Sequence, residues 1–403
     1  MTKYVIKIGV RQIMRFGQLA ALLVVLAEAR ITLDFPWGKT GNLAENPDGF
    51  GIVVALVVLL ALSELVRIGR FTSINSLVWL GYIARFTGLG WAGTGFVALL
   101  SVWLIPGAND GAAPLALFWA AGGLALTASF YAFSIGRTRI VVRKFKIAQN
   151  RATPATGAVD RQSDVRITVL SDLHLGVFVT AAHIRRAVEI SNNESPDMVL
   201  LLGDYVEDDG SLGGELVAEL TRLEAKLGVF AVLGNHDIRC RDSQLLIDEL
   251  ERDQTVSLLR NSSAFVEVGP IEHSKTVQII GIESPGDWWY KDSDVFGKDV
   301  LHSELSTGAA DFIIVASHHP EAFGPSAERS VDLVVAGHTH GGQLAVPFTG
   351  RLLNVGRLAT KYLSGLYESG TTTLVVSAGI GVGIIPARIG VPPEVTLIEI
   401  SFD

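Results

Sequence analysis

From Arg166 onward, short apolar runs alternate with amphipathic stretches. This restricts the C-terminal part of the chain to an α/β domain whose sheets are covered on their faces. The apolar runs are RITVL, DMVLLL, VFAVL, VQIIGI, DFIIVA, VDLVVA, TTLVVSA and VTLIEI, and they predict strands. The amphipathic ones, AAHIRRAVEISNN, LVAELTRLEAKL and DSQLLIDELERD, predict helices. No internal repeat or low-complexity tract interrupts the pattern.

Five of these strands run straight into polar clusters: Ser171-Asp172-Leu173-His174, Gly203-Asp204-Tyr205-Val206-Glu207-Asp208, Gly234-Asn235-His236-Asp237, Ser317-His318-His319-Pro320 and Gly337-His338-Thr339-His340-Gly341-Gly342-Gln343. The C-terminal ends of several strands are where open α/β folds place their chemistry. Six of the nine histidines lie in these clusters. The i, i+2 spacing of Asp172/His174 and of His338/His340 predicts that each pair points to one side of an extended segment, toward one centre. Carboxylate, imidazole and amide oxygen without thiolate suit Mn, Fe, Zn or Co. The single cysteine, Cys240, excludes a disulfide framework and a cysteine-based zinc site.

The ordered set D-x-H, G-D-x-x-D, G-N-H-D/E, H-x-P and G-H-x-H resembles the signature of the calcineurin-like metallophosphoesterases, and the resemblance covers residues 166–403. The stretch from GHTHGGQ through LATKYLSGLYESGTTTLVVSAGIG to PARIGVPPEVTLIEI is also similar to the branch of that family with N-terminal membrane segments. The resemblance implies a four-layer α/β/β/α sandwich with two divalent metal ions at its edge. It further implies that Asp172, His174 and His340 bind one ion, that Asn235, His318 and His338 bind the other, and that Asp204 bridges both. His236 matches the histidine that protonates the leaving oxygen. The family spacing H-x-P selects His318 as the ligand, leaving His319 behind the ligands or facing solvent. One departure stands out: the second aspartate of G-D-x-x-D is Glu207 here, with Asp208 beside it. In relatives that carboxylate orients the acid histidine, and either residue could do so in this chain. Such a site suits phosphate esters, because two metals roughly 3.5–4 Å apart can bind phosphoryl oxygens and lower the pKa of an attacking water.

The first 146 residues are of another kind, with 14 basic and 6 acidic side chains against 19 and 35 in the remainder. Their apolar stretches, at roughly 16–33, 50–66, 87–105 and 114–136, are each near the length of a bilayer-crossing helix and predict an α-helical transmembrane region of about four spans. Basic residues cluster before the first stretch, between the second and third, and after the fourth, which places the N-terminus and the catalytic domain in the cytoplasm. The first stretch also fits a cleaved signal peptide, with Ala27-Glu28-Ala29 as a small-x-small site. Arg85 reads either as a functional charge within the membrane or, the favoured reading, as a side chain reaching to the cytoplasmic surface. RIVVRKFKI is expected to lie extended at the membrane surface, and residues 147–165, rich in Ala, Thr, Pro and Gly, read as a linker.

The expected protein is therefore a multi-pass inner-membrane phosphohydrolase that cleaves a phosphoester or pyrophosphate bond, with a phosphorylated small molecule or a lipid-linked compound such as UDP-diacylglucosamine as substrate. A general nucleotide or protein phosphodiesterase, or an inactive membrane scaffold, are the rival readings. The acidic C-terminal part argues against nucleic-acid binding by charge. His183, His273, His302 and Cys240 lack a motif and read as surface or packing residues. Trp288-Trp289-Tyr290 reads either as a contact for an acyl chain or base or as loop packing. Gly379, Gly381 and Gly383 are expected to let the backbone turn closely after the strand ending in Ser377.

Overall fold

A computed structural model describes residues 78–84, 86–88, 90, 113–149, 164–286, 297–305, 310–347, 349, 352–383 and 385–402. The chain divides into two units, Met1–Phe133 and Ser134–Asp403. In the first, residues 78–84, 86–88 and 90 are helical and α1 spans Ala113–Tyr131. The first two predicted spans, nearly all of the third, and Arg85 lie outside the described residues, as do most of the predicted linker and Trp288-Trp289-Tyr290.

The fourth predicted span, 114–136, does not form one α-helix. After Tyr131 the backbone widens into a π-helical turn, Ala132–Gly136. Gly122, Gly123, Thr127 and Ser129 dilute the apolar content of α1, and the Thr127 and Ser129 hydroxyls donate to the carbonyls of Gly123 and Ala125 one turn back. Among the described residues no helix is long and apolar enough to cross a membrane. This corrects the expected multi-pass placement in the cell membrane and the cytoplasmic orientation that followed from it.

The second unit contains two six-stranded sheets. The first has the order β1-β12-β2-β3-β4-β5, from Val141–Ala148, Glu394–Ser401, Val165–Leu170, Met198–Leu201, Gly228–Ala231 and Val256–Leu258. The second has the order β10-β11-β9-β8-β7-β6, from Gly365–Ser369, Thr372–Val376, Leu333–Ala336, Phe312–Ser317, Lys275–Ile282 and Ser262–Val268. Strands β2 to β5 run parallel, as do β7, β8, β9 and β11, so each sheet carries its parallel strand ends to one rim.

Strand periodicity builds the layers. Alternate residues of a strand face opposite sides. Accordingly Ile279, Ile314, Val335 and Val375 of the second sheet pack with Ile167, Leu200, Phe230 and Ile398 of the first in one buried cluster. Their neighbours Ile280, Val315, Val334 and Val376 pack on the other face against Leu301 of α6 (Lys298–Glu304) and Phe323 of α7 (Phe323–Ala327). On the outer face of the first sheet, α2 (Ala181–Asn193) buries Ile184, Ala187 and Val188, and its Ser191 hydroxyl meets that of Thr168 at 2.6 Å. The result is an α/β sandwich layered helix, sheet, sheet, helix.

The predicted strands and α2 fall where expected, as does the third predicted helix, which forms α5 (Ser243–Arg252). The second predicted helix, 216–227, instead occupies Gly213–Leu220 as α3. It stops early because the chain must return to the sheet, where Leu227 N–H donates to the Asp197 carbonyl (2.7 Å) just before β4. The basic segment RIVVRKFKI is extended, as expected, and forms an edge strand: β1 pairs in parallel with β12, Arg143 Nε lies 2.7 Å from Glu394 Oε2, and Lys144 Nζ lies 2.7 Å from Glu194 Oε2. Residues 141–146 thus extend the sheet that carries half of the site.

Ile314 is completely buried between the sheets. Truncation to alanine should cost about 2–5 kcal/mol, measured by urea denaturation of the full chain, whereas a loss of a few tenths would contradict the packing described.

Candidate dimetal site

All five polar clusters meet at the rim where the parallel strands end. Asp172 and His174 follow β2, Asp204 follows β3, and Asn235 and His236 open the short helix α4 (Asn235–Arg239) after β4. From the second sheet, His318 follows β8 and His338 and His340 follow β9. The convergence does not arise from extended backbone, as the i, i+2 spacing suggested. Asp172, His174, Asp204, His338 and His340 all adopt left-handed backbone, with φ between 50° and 71°. Five such non-glycine residues at one site mark conformations held by their surroundings.

Those surroundings are explicit. His338 N–H donates to both carboxylate oxygens of Asp172 at 3.1 Å, and His236 N–H donates to Asp204 Oδ1 at 2.8 Å. The Asp237 carboxylate accepts from the backbone N–H of Asp204, Tyr205 and Gly234 at 2.7, 2.7 and 2.8 Å. Gly379 sits at φ +71°, and a side chain there would place its Cβ 2.7 Å from the Cβ of Asp172. The expected close turn after Ser377 is therefore the back wall of the site.

Two pairs of imidazole nitrogens face one another. His174 Nε2 is 3.0 Å from His340 Nε2, and His318 Nε2 is 3.1 Å from His338 Nδ1. Between the pairs, Asp204 Oδ2 lies 3.6 Å from His174 Nε2 and 3.2 Å from His318 Nε2. Asp172 Oδ1 is 3.5 Å from His340 Nε2. His318 Nδ1 donates to the Leu202 carbonyl (2.6 Å), so Nε2 is the nitrogen that faces Asp204 and the one free to coordinate once its proton is released. Asn235 is buried, and its Oδ1 has no hydrogen-bond partner. Converging lone pairs, a carboxylate oxygen shared between two histidines, and an unpartnered buried amide oxygen fit divalent cations of the Mn, Fe, Zn or Co class. Asp172, His174 and His340 form one possible ligand group, and Asp172, Asp204 and His318 another.

The electrostatics point the same way. Burial works against charge on His174, but Glu207, Asp204 and Asp172 outweigh it and raise its pKa to about 9. His318 is raised to about 9 in the same manner, by Asp204 and Asp172 against burial. His340 goes the other way, burial with the neighbouring His174 and Arg388 holding it well below the usual imidazole range, so of these three only His174 and His318 would have to release protons on binding a metal.

His236 Nδ1 donates to the backbone carbonyl of Glu207 (2.7 Å), which makes Nε2 the nitrogen able to carry the exchanging proton. The Glu207 side chain goes elsewhere: its Oε2 lies 2.6 Å from His174 Nδ1. Asp208 is exposed, and its carbonyl accepts from Arg241 N–H. In this geometry the carbonyl of Glu207, and neither of the two carboxylates, holds the imidazole of His236. His319 is completely buried rather than solvent-facing, with its Nε2 2.9 Å from Ser284 Oγ and its ring centroid 4.2 Å from that of His338.

The family model for calcineurin-like phosphoesterases matches residues 165–342, the segment that supplies every one of these side chains. Over these residues the chain is similar to the calcineurin-like phosphoesterases. That family uses two divalent metal ions to hydrolyse phosphoesters, and the clusters above could hold them. An uncharacterized metallophosphoesterase of Campylobacter jejuni is 26% identical over 255 residues, covering 62% of this chain and 64% of the relative. Phosphodiesterase YaeI of Escherichia coli is 28% identical over 243 residues, covering 59% of this chain and 84% of the relative. A Danio rerio transmembrane protein with a metallophosphoesterase domain is 30% identical over 248 residues, covering 59% and 53%. The chain thus spans less than two thirds of the Campylobacter relative, and of a Helicobacter pylori metallophosphoesterase of which it covers 60%.

Two supporting residues escaped the sequence reading. Asp237 stood inside the GNHD cluster without a role. Arg388 stood in the stretch PARIGVPPEVTLIEI without a role, yet it is completely buried behind the site. Its Nε donates to the Gly381 carbonyl (2.9 Å), its Nη2 to those of Ala378 (2.8 Å) and Gly381 (2.6 Å), and Nη2 lies 3.4 Å from His340 Nδ1. Burial lowers its pKa to about 10 against the pull of Asp172 and Glu394, so it remains a cation at neutral pH. Arg388→Met keeps bulk but strands several carbonyls. It should destabilise the full chain by about 3–5 kcal/mol in chemical denaturation, the usual result of removing one partner from a buried charged network.

Proposed function

We propose that this chain is a two-metal phosphodiesterase in which Asp172, His174 and His340 hold one ion, Asn235, His318 and His338 hold the other, and Asp204 bridges them. The position of Asp204 Oδ2 between His174 and His318 carries this reading. When bound, such a pair supplies Lewis acidity toward phosphoryl oxygens and a water of lowered pKa. The chain's own residues supply the rest. Backbone hydrogen bonds from His338 and His236 fix Asp172 and Asp204, and Leu202 fixes His318. His236 delivers a proton from Nε2 to the departing oxygen, with Nδ1 held by the Glu207 carbonyl.

A lipid-linked phosphodiester or pyrophosphate is favoured among substrates by one surface. The chain leaving the His340 turn is tied back to it through Asn354 Nδ2, which donates to the Gly341 carbonyl (2.8 Å), and through Val355 N–H to the Leu344 carbonyl (3.1 Å). From this base it exposes Val346, Leu352, Leu353, Val355 and Leu358, with Leu352 and Leu358 at 75% and 92% exposure. An apolar surface rooted beside the His/Asp cluster suits an acyl chain on the substrate better than a fully polar nucleotide or phosphoprotein.

With Mn²⁺ present, Asp204→Asn should lower hydrolysis of bis-p-nitrophenyl phosphate by orders of magnitude. His236→Ala should keep bound metal and lose turnover by about 10²–10⁴-fold, least for acidic leaving groups. Wild-type rates in both variants would refute the reading. The double variant Leu352→Ser/Leu358→Ser should raise KM for an acylated phosphodiester while sparing the water-soluble one; equal effects on both would remove the lipid-linked assignment.

A further inference from the structure

Glu207 makes two contacts with two histidines, and they divide between backbone and side chain. Its carbonyl accepts from His236 Nδ1 at 2.7 Å, while its Oε2 sits 2.6 Å from His174 Nδ1. The segment that carries it is laddered to the segment that carries His174: His174 N–H donates to the Asp204 carbonyl, Leu175 N–H to the Tyr205 carbonyl, and Glu207 N–H back to the Leu175 carbonyl, at 2.9, 2.9 and 3.1 Å. A Cβ on Gly176 would lie 3.3 Å from that of Glu207, so the two strands of this ladder are in close contact. Glu207 therefore has its backbone fixed opposite His174, and its carboxylate reaches Nδ1 of that ring, on the side away from His340 and Asp204.

We infer that the Glu207 side chain is a positioning residue for the metal ligand His174 and not for the proton donor His236. This rests on the two-metal reading above. The contact is a close ion pair rather than an aligned hydrogen bond, and a carboxylate there favours the proton on Nδ1 of His174, leaving Nε2, which points at His340 Nε2 (3.0 Å) and Asp204 Oδ2 (3.6 Å), as the nitrogen free to coordinate. A carboxylate behind a ligating imidazole orients the ring and raises its basicity toward a metal. The ring of His174 has the matching orientation, near-parallel to His340 (28° between planes) and edge-on to His236 (84°). The Glu207 carboxylate also feels the charge of the His236 ring, but it does not hold that ring's Nδ1 proton, which goes to a carbonyl that any residue at position 207 would offer. Orientation of the ligand and orientation of the acid are thus separable by substitution at a single residue.

The test measures Mn²⁺ affinity of the full chain by competition with a chelating indicator, alongside the leaving-group dependence of turnover at saturating Mn²⁺. Glu207→Ala should weaken binding of one of the two ions by about 10–100-fold, the usual effect of removing such a partner, while the leaving-group dependence stays that of the wild type. Glu207→Gln keeps an oxygen that can accept from His174 Nδ1 and should recover most of the affinity, which separates positioning from a loss of folding. Glu207→Asp, short by a methylene, should behave like the alanine variant. Wild-type affinity in Glu207→Ala, or a leaving-group dependence shifted toward that of His236→Ala, would overturn the inference. Failure of the wild type itself to take up two ions would instead overturn the metal reading, and this inference with it, and is distinguishable because the Asp204→Asn variant would then bind no differently from wild type.

Discussion

The buried carboxylate of Asp237 is the contact on which the site's first half depends. It gathers the backbone N–H groups of Gly234, Asp204 and Tyr205, and so ties the outgoing ends of β3 and β4 together. Without it, three buried donors would be left unsatisfied, at about 1–3 kcal/mol each. With it, Asp204 is placed so that Oδ1 takes the His236 N–H while Oδ2 faces His174 and His318. The bridging position is thus a product of backbone hydrogen bonding, one step removed from the side chains that would meet metal.

Behind this lies a division of labour between conformational strain and the structure that holds it. Five site residues occupy left-handed backbone, a state that costs about 1–3 kcal/mol per residue and persists only where neighbours over-determine it. The neighbours here are Asp237, the carbonyls gathered by Arg388, and Gly379 packed on Asp172. Each is unremarkable in isolation. Arg388 illustrates the point: a cation buried behind a prospective cation site is tolerated because the loop of residues 378–381 turns its carbonyls inward to meet it.

Much of this was legible in the sequence, for identifiable reasons. Runs such as VQIIGI and DFIIVA announce strands because sheets packed between layers need apolar residues on both faces. The polar clusters announce the rim because chemistry-bearing types recur at each strand end. What failed did so where local pattern is silent. Strands β5, β6 and β10 escaped because Val256–Leu258 is only three residues long, and SSAFVEV and GLYES mix polar and apolar residues as edge strands do. RIVVRKFKI was read by its charge, when its role as an edge strand depends on a partner more than two hundred residues away. The roles of Arg388 and of the Glu207 side chain are likewise set by contacts across the fold that no spacing encodes. The apolar stretches of the first unit showed length and composition, but 114–136 breaks at Tyr131 into a wider turn that hydropathy does not reveal.

The two sheets contribute unequal donors to each proposed ion. Asp172, His174, Asp204 and Asn235 descend from the first sheet, and His318, His338 and His340 from the second, so neither ion can be bound by one sheet alone. Away from the rim the sheets adhere chiefly through an apolar layer, which is non-directional and tolerates sliding. Coordination is directional and does not. A bound metal pair would therefore act as a rivet through the open end of the sandwich, setting the register of one sheet on the other, and part of its binding free energy would appear as resistance of the two halves to shearing apart.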